Sequence, residues 1–283
     1  MRVLVTGIKG QLGYDVVNEL NKRKHTAIGV DIDEMDITDS KSVESLITAL
    51  NPDAIIHCAA WTAVDAAEDN IDECRLINAY GTENIAKLCK QLNCKMVYIS
   101  TDYVFDGQGI RPWEPDDPVE NPLNVYGQTK YEGEQFVQHY IDKYFIVRIA
   151  WAFGINGKNF VNTMLNLTKT IKHINVVNDQ IGTPTYTYDL ARLLVDMIET
   201  EKYGIYHVTN EGGYISWYDF AVEIFKLSRI TDVTVTPVSS ENYTVKAKRP
   251  RNSRLCKDKL EQNGFKRLPV WQDALQRFIR SLQ

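Results

Sequence analysis

Short apolar runs alternate with helical periodicity over the first 150 residues, and this alternation restricts the possible folds more than any other feature. The runs are VLVT (3–6), TAIGVD (26–31), AIIHCAA (54–60), KMVYIS (95–100) and YFIVRIA (144–150). Strands that alternate with helices form a parallel sheet with helices on both faces. We therefore predict a doubly wound α/β domain over residues 1–150.

The second half of the chain has a less regular pattern. Helical stretches at 158–171, 187–199, 216–229 and 271–281 are mixed with the short β runs INVV, GIYHVT and VTVTPV. This mixture predicts a smaller α+β lobe, residues 151–283, that packs over the carboxyl edge of the sheet. Ligands of open α/β sheets bind at that edge, so we expect the lobe to bind the substrate.

Composition excludes several classes of function. The 283 residues are 44% hydrophobic and carry a formal net charge of −5 without a basic run, which argues against nucleic-acid or anionic-membrane partners. No apolar run approaches the roughly 20 residues that span a bilayer, and MRVLVTG predicts a first strand, not an export signal. Five cysteines lack a C-x-x-C pair and five histidines lack ligand spacing. We expect free thiols, no metal site and a cytoplasmic location.

The turn TGIKGQLG (6–13) follows the first strand and supplies Gly7, Gly10 and Gly13. Glycines allow a tight turn and close approach of a pyrophosphate, and the next helix offers free N–H groups at its N-terminus. An ordinary strand–helix turn could also contain glycines. However, Asp31 lies about 20 residues after the turn, which is the spacing of the acidic residue that binds the ribose in dinucleotide sites. The combination predicts a Rossmann-like dinucleotide site. Asp36 and Ile37 could border the adenine, although a helix cap explains Asp36 equally well.

Tyr126 and Lys130 lie four residues apart on one face of a predicted helix between the fourth and fifth strands. A lone Y-x-x-x-K is weak evidence in a chain with 15 tyrosines. The prediction that this pair is catalytic therefore depends on its position between the two strands. Tyrosine ordinarily ionises near pH 10. A neighbouring ammonium and a helix N-terminus should lower the pKa of Tyr126. Such a phenol can give a proton to a carbonyl oxygen as hydride arrives.

Thr101, Asp102 and Tyr103 follow the fourth strand directly. The Thr101 hydroxyl is placed to hydrogen-bond a reacting oxygen, so we predict that Thr101 joins Tyr126 and Lys130 in a catalytic triad. The alternative is a hydroxyl that closes the turn after the strand.

With these residues in place, the chain resembles the extended short-chain dehydrogenase/reductases, which share the spacing G-x-x-G-x-x-G. Within them it is similar to the dTDP-4-dehydrorhamnose reductase family. The stretches that show this are AAWTAVDAAE (59–68), STDYVFDG (100–107), PLNVYGQTK (122–130), VVNDQIGTPT (176–185) and RPRNSRL (249–255). The resemblance implies NAD(P)H-dependent reduction of the C4 keto group of dTDP-4-dehydro-L-rhamnose, the last step of dTDP-L-rhamnose biosynthesis.

The resemblance also implies individual roles. Cofactor contacts would come from Gly10, Gln11 and Leu12 at the pyrophosphate, Asp31 at the adenosine ribose, Ala60, Trp61 and Thr62 near the nicotinamide, and Lys130 at its ribose. Substrate contacts would come from Thr101, Asp102, Tyr103, Tyr126 and Trp151. Trp61 stands where the family often has histidine, and core packing is a nearly equal alternative for Trp151. Asp65 and Glu68 could instead form a first-turn helix pair without a ligand.

Tyr103 distinguishes a reductase from the related 4,6-dehydratases. Those enzymes resemble this chain but carry Asp-Glu after the threonine, as the acid and base that eliminate water. A phenol in the glutamate position lacks the base needed to remove the C5 proton, so we interpret Tyr103 as a substrate-lining residue. Two alternatives stay open: an epimerase with permanently bound NAD, and a non-catalytic subunit like the regulatory subunit of methionine adenosyltransferase.

The cofactor and assembly are less restricted by the sequence. Asp31 should repel the 2′-phosphate of NADPH, whereas Lys9 could offset that phosphate and the family uses NADPH, so we expect both NADH and NADPH to work. Some family members are metal-bridged dimers that use C-terminal carboxylates. The segment FIRSLQ (278–283) contains none, which favours a monomer without structural Mg²⁺, although a weak dimer is possible.

Overall fold

A parallel sheet forms the centre of the computed structural model, which describes residues 1–242 and 245–282. Six strands form it in the order β10-β5-β4-β3-β1-β2, all paired in parallel. Its strands are β1 (Arg2–Thr6), β2 (Thr26–Val30), β3 (Ala54–His57), β4 (Lys95–Thr101), β5 (Tyr144–Ile149) and β10 (Gly204–His207). The remaining strands pair in twos and are β6 (Ala152–Phe153), β7 (His173–Val177), β8 (Ile181–Gly182), β9 (Thr185–Tyr186), β11 (Ile215–Ser216) and β12 (Thr234–Val238).

Some helices cover the two faces of the central sheet, and others belong to the C-terminal lobe. The helices are α1 (Gln11–Lys22), α2 (Ser40–Leu50), α3 (Val64–Ala67), α4 (Ile71–Arg75), α5 (Gly81–Leu92), α6 (Val125–Tyr140), α7 (Phe160–Leu167), α8 (Thr187–Ile198), α9 (Trp217–Leu227), α10 (Asp258–Gln262) and α11 (Trp271–Ser281). Because successive strand residues point to opposite faces, Val3 and Val5 join a core with α1 and α8, whereas Leu4 joins a core with α2, α5 and α6. The predicted Rossmann-like, doubly wound α/β architecture is confirmed.

One part of the predicted division of the chain is wrong. The run GIYHVT was assigned to the C-terminal lobe, but Gly204–His207 is the edge strand β10, in register with Phe145–Arg148 of β5. The preceding helix α8 packs on α1, and Arg23 binds Asp196 across that contact. A boundary after residue 150 therefore does not separate the two units, because the chain returns from the lobe to complete the sheet.

The rest of the second half forms a lobe with a core of its own. Helices α7, α9 and α11 pack around Phe153, Phe220 and Phe278, and the predicted β runs at 174–177 and 233–238 pair in parallel as β7 and β12. None of the helices in residues 1–242 and 245–282 combines the length and apolar character needed to span a bilayer.

The helical segment between Ile71 and Leu92 is interrupted. A π-helical turn, Leu76–Tyr80, separates α4 from α5 and contains the buried residue Asn78. The Asn78 carbonyl accepts the Thr82 hydroxyl at 2.7 Å, and its side-chain amide reaches the Trp61 carbonyl at 3.2 Å. Through Asn78, this π-helical turn connects the helical segment to the loop after β3, near the carboxyl edge of the sheet.

Candidate active site

A cavity of about 1000 Å³ opens at the carboxyl edge of the central sheet. It brings together every residue that the sequence predicted for the site except Trp61. These lining residues are Gly7, Gly10, Gln11, Leu12, Gly13, Asp31, Asp36, Ile37, Ala60, Thr62, Thr101, Asp102, Tyr103, Tyr126, Lys130 and Trp151. The volume lies at the upper end of the range for small-molecule sites, which suits a dinucleotide and a second ligand together.

The glycine turn is closed too tightly for side chains at two positions. Gly7 has φ +71°, and a Cβ there would lie 2.7 Å from the Ala59 nitrogen. A Cβ on Gly13 would lie 2.3 Å from the Gly7 carbonyl oxygen. Gly10 precedes α1 as its N-cap without a side-chain cap, so N–H groups at the start of the helix are free for an anion. The cradle therefore fits the pyrophosphate of a dinucleotide.

Asp31 lies at the end of β2, as predicted, and backbone groups hold its carboxylate. The N–H of Lys9 and the N–H of Ile32 each donate to it at 3.0 Å. The Lys9 ammonium pairs with Asp33. A 2′-phosphate bound beside Asp31 would therefore compete with the Asp33 carboxylate for this ammonium.

Asp36 and Ile37 border the same part of the cavity. The Asp36 carboxylate accepts the Thr38 N–H at 2.9 Å and the Thr38 hydroxyl at 2.7 Å, so it closes a turn. The cap of α2 is Asp39, whose carboxylate accepts the Lys41 N–H at 3.0 Å. The alternative that Asp36 caps a helix is therefore wrong, because Asp39 caps α2 and Asp36 closes the turn before it.

The first turns of α6 position the catalytic candidates. The side chain of Asn124 caps the helix by accepting the Gly127 N–H at 2.8 Å, and this fixes the start of the turn that contains Tyr126. A Cβ on Gly127 would lie 2.1 Å from the Tyr103 carbonyl oxygen, so α6 approaches the end of β4 closely. One turn later, the Lys130 ammonium lies 4.1 Å from the ring centroid of Tyr98.

Burial controls the ionisation of Tyr126 and Lys130, and it opposes the pKa change that the sequence predicted. Burial raises the pKa of Tyr126 well above its usual value, and hydrogen bonding from Thr101 offsets this only in part. Burial also lowers the pKa of Lys130 to about 7, against the opposing charge of Glu134. The prediction of a lowered tyrosine pKa was wrong for the free protein, because removal from water penalises a phenolate more than the neighbouring groups stabilise it.

Thr101, Asp102 and Tyr103 surround Tyr126. The Thr101 hydroxyl donates to Asp102 at 3.0 Å and accepts the Tyr103 N–H at 3.2 Å, so it also closes the turn after β4. The Tyr103 ring meets the Tyr126 ring edge to face, with centroids 5.6 Å apart. Burial raises the pKa of Asp102 to about 6. Its Oδ2 atom is buried and has no partner of good hydrogen-bond geometry among the residues that the structure describes, although Ser253 is close enough to favour the ionised carboxyl.

The two tryptophans named from the sequence have different environments. Trp151 lines the cavity and stacks on Trp217 of α9, with ring centroids 3.8 Å apart. Trp61 does not line the cavity: its indole N–H donates to the Ala63 carbonyl at 3.0 Å, and its backbone N–H donates to Asn78. Its proposed contact with the nicotinamide therefore has no support from the geometry.

Asp65 and Glu68 make structural contacts. Asp65 forms an ion pair of 2.6 Å with Arg249, and this joins α3 to the C-terminal RPRNSRL segment. Glu68 accepts the Val125 N–H at 2.9 Å and so helps to begin α6. Among the described residues, no group of three or more histidine, cysteine, aspartate or glutamate side chains could hold a metal ion.

Trp217 and Lys158 are among the lining residues that the sequence did not predict. Trp217 belongs to a lobe helix, and no local pattern connects it with Trp151. Lys158 lies in the loop between β6 and α7, and Gly157 beside it has φ +104°. The asparagine- and glycine-rich sequence GINGKN (154–159) predicts a turn at this loop. It does not indicate which other part of the chain the loop contacts.

Comparisons with known proteins give a consistent set of relatives. The family model described as RmlD substrate binding domain matches residues 1–283. A dTDP-4-dehydrorhamnose reductase from Aggregatibacter actinomycetemcomitans is 38% identical and covers 97% of each chain. The crystal structure of a dTDP-4-dehydrorhamnose reductase from Clostridium acetobutylicum has a TM-score of 0.97 at 43% identity and covers 100% of both chains. That of a dTDP-4-dehydrorhamnose reductase from Bacillus anthracis str. Ames in complex with NADP has a TM-score of 0.95 at 42% identity and covers 99% of both.

Proposed function

The chain belongs to the RmlD substrate binding domain family, and from this premise we propose that it reduces the C4 keto group of dTDP-4-dehydro-L-rhamnose with NAD(P)H. The product is dTDP-L-rhamnose. The observation that carries the proposal is one cavity that contains Tyr126, Lys130 and Thr101 together with the glycine turn.

A nicotinamide dinucleotide fits this chain because Gly7 and Gly13 allow a turn too tight for side chains, and this turn leads into the uncapped N-terminus of α1. When bound, it supplies the hydride that adds to C4. The free N–H groups at the start of α1 would hold the pyrophosphate, and the Asp31 carboxylate would accept ribose hydroxyls.

Tyr126 supplies the proton in this mechanism. Because burial keeps the phenol protonated at neutral pH, Tyr126 begins the reaction as the acid that reduction requires. It donates its proton to the C4 oxygen as negative charge develops there, and the Lys130 ammonium stabilises the phenolate that remains. The Thr101 hydroxyl, which donates to Asp102 in the free protein, rotates to donate to the same oxygen and orients it.

The carboxyl edge also supplies groups for the sugar. Asp102, Tyr103 and Trp151 line the cavity beside Tyr126. Trp217 of the lobe lines it as well, which supports the assignment of the C-terminal lobe to the sugar nucleotide. Tyr103 contributes a phenol where a dehydratase needs a carboxylate, which favours reduction over water elimination.

The decisive test is a substrate panel. Purified protein is mixed with NADPH and either dTDP-4-dehydro-L-rhamnose or a GDP- or UDP-linked keto sugar, and NADPH absorbance is followed. Rapid oxidation with the dTDP sugar alone supports the proposal. An epimerase would consume no NADPH and would contain bound NAD, and a regulatory subunit would turn over none of these sugars.

Replacing Thr101 by valine should lower kcat/KM for the keto sugar by about a hundredfold, because one donor to the developing oxyanion is lost. The dissociation constant of NADPH should change by less than about twofold, since Thr101 faces the sugar in this mechanism. Fluorescence titration and steady-state rates measure the two effects. Thr168→Val, on the lobe surface, is the matched control. Loss of NADPH binding in Thr101→Val would contradict this role.

Both NADPH and NADH should serve as reductants, with kcat/KM values within roughly tenfold of each other. Repulsion between Asp31 and the 2′-phosphate opposes the attraction of Lys9, whose exposed ammonium can exchange Asp33 for the phosphate, and both interactions are weak because solvent screens them. Asp31→Asn should shift the ratio towards NADPH and Lys9→Ala towards NADH, with Glu44→Gln on α2 as the control. A wild-type preference above a hundredfold, or no shift in either variant, would contradict the assignment of Asp31 to the ribose.

The proposal extends to the assembly and the location of the protein. We favour a monomer without structural Mg²⁺ because 278–282 carries no carboxylate side chain; Gln283 lies outside the described residues. Light scattering with and without a chelator tests both points. Five free cysteines and dependence on a nicotinamide support a cytoplasmic location.

A further inference from the structure

The lysines that line the active-site cavity differ in the partners they already have. They are Lys9, Lys130 and Lys158. Lys9 pairs with Asp33, and Lys130 is buried against the Tyr98 ring. Lys158 is exposed, and its ammonium makes no ion pair with any residue in 1–242 or 245–282. It is thus an exposed cation at the cavity that remains available to a ligand.

A network of side-chain hydrogen bonds holds the Lys158 loop against the glycine turn. Asn156 donates to the Lys9 carbonyl at 2.9 Å, and Gln11 donates to the Lys158 carbonyl at 3.2 Å. Asn159 donates to the Gln11 side-chain oxygen at 3.0 Å. The loop therefore contacts the first residue of α1 directly, and its backbone position is fixed relative to the N-terminus of that helix.

From this geometry we propose that Lys158 binds the diphosphate of the nicotinamide dinucleotide from the lobe side. This assignment rests on the proposed function, because it takes the glycine turn to be the dinucleotide site. Backbone N–H groups of α1 would hold one side of the diphosphate, and the Lys158 ammonium would neutralise charge on the other.

The acidic residues around the cavity make a further cation necessary for binding a diphosphate. The loop after β2 carries Asp31, Asp33, Glu34 and Asp36, and all of these oppose a dianion. The Lys9 ammonium, the cation nearest to them, is engaged by Asp33. The helix terminus alone supplies only about half an elementary charge, so a dianion needs a further cation.

The diphosphate of a dTDP sugar is the other candidate with the same chemistry. Two observations favour the dinucleotide: the Lys158 carbonyl is hydrogen-bonded by Gln11, and Gly157 lies close enough to Gln11 that an added Cβ would be 3.3 Å from its Cγ. The loop thus follows the start of α1, where the cofactor pyrophosphate belongs, and not the Tyr103 side of the cavity.

The test compares Lys158→Ala, Lys158→Arg and the control Lys169→Ala, whose ammonium binds Asn166 on the lobe surface. NADPH and dTDP are titrated separately, by fluorescence and by calorimetry. We expect the NADPH dissociation constant to rise about tenfold in Lys158→Ala at low salt and to stay within about threefold of wild type in Lys158→Arg. The difference should shrink as salt is added. Reduced nicotinamide mononucleotide, which lacks the diphosphate, should bind the wild type and Lys158→Ala equally.

Unchanged NADPH affinity in Lys158→Ala would overturn the proposal, as would weakened dTDP binding with normal NADPH binding. A wild-type protein that binds neither probe would refute the proposed function itself, and the two failures are therefore distinguishable. Lys158 is exposed, so the variants should fold; unchanged thermal unfolding midpoints check this.

Discussion

Replacing Tyr126 by phenylalanine is expected to lower kcat by at least about a hundredfold and to change KM little. Tyr126 acts on the C4 oxygen as charge develops, so its hydroxyl stabilises the transition state more than the bound substrate. The ring remains, and with it the edge-to-face contact with Tyr103 at 5.6 Å, so the fold and the shape of the cavity should be kept. Steady-state rates with the keto sugar at saturating NADPH measure the effect.

Tyr188→Phe is the matched control, because Tyr188 is an exposed tyrosine of α8 that does not line the cavity. It should retain wild-type rates. NADPH titration of Tyr126→Phe should give a dissociation constant within about threefold of wild type, since the phenol acts on the sugar. Turnover of Tyr126→Phe within tenfold of wild type would remove the phenol from the mechanism.

The residues that the sequence located well all belong to local patterns. Gly7, Gly10 and Gly13 occur in a strand–turn–helix unit, and a tight turn of that kind has few conformations. Thr101 follows a buried strand directly, and the carboxyl ends of parallel strands share one edge. These signals need no knowledge of distant contacts, so the cradle and the strand-end residues could be placed without coordinates.

The predictions that were wrong or missing depend on contacts between segments far apart in sequence. GIYHVT has the pattern of a buried strand, but that pattern does not specify its sheet, and β10 pairs with β5 about 60 residues earlier in the chain. Trp217 and Lys158 reach the cavity only because the lobe folds over the sheet. The raised pKa of Tyr126 follows from burial, which spacing between Tyr126 and Lys130 does not reveal.

A second large effect is expected at the ion pair behind the site. Glu134, one turn after Lys130 in α6, accepts two hydrogen bonds from Arg148 of β5, at 2.8 and 2.7 Å. The side chains are 0% and 2% exposed, respectively. Arg148→Met should lower the free energy of unfolding by about 3–5 kcal/mol, because it leaves a buried carboxylate without a partner. Urea unfolding measures the loss.

Arg75→Met is the matched control, because Arg75 pairs with Glu132 on the exposed side of the same helix, at 2.9 Å. Surface pairs contribute about 0–1 kcal/mol, so this variant should lose little. The double variant Glu134→Leu, Arg148→Met removes both charges and should recover most of the lost stability. A loss below about 1 kcal/mol in Arg148→Met would show that water or a rearranged partner satisfies Glu134.

The same double variant separates stability from activity. Glu134 raises the pKa of Lys130 against the effect of burial, which lowers it to about 7. Without the Glu134 carboxylate that pKa should fall further, so the ammonium that stabilises the Tyr126 phenolate is lost at a lower pH. We expect the double variant to fold. As the pH is raised, its kcat/KM should therefore begin to decline at a lower pH than that of the wild type. A stable double variant with an unchanged pH profile would contradict the assignment of this decline to Lys130, because Glu134 reaches the site only through that charge.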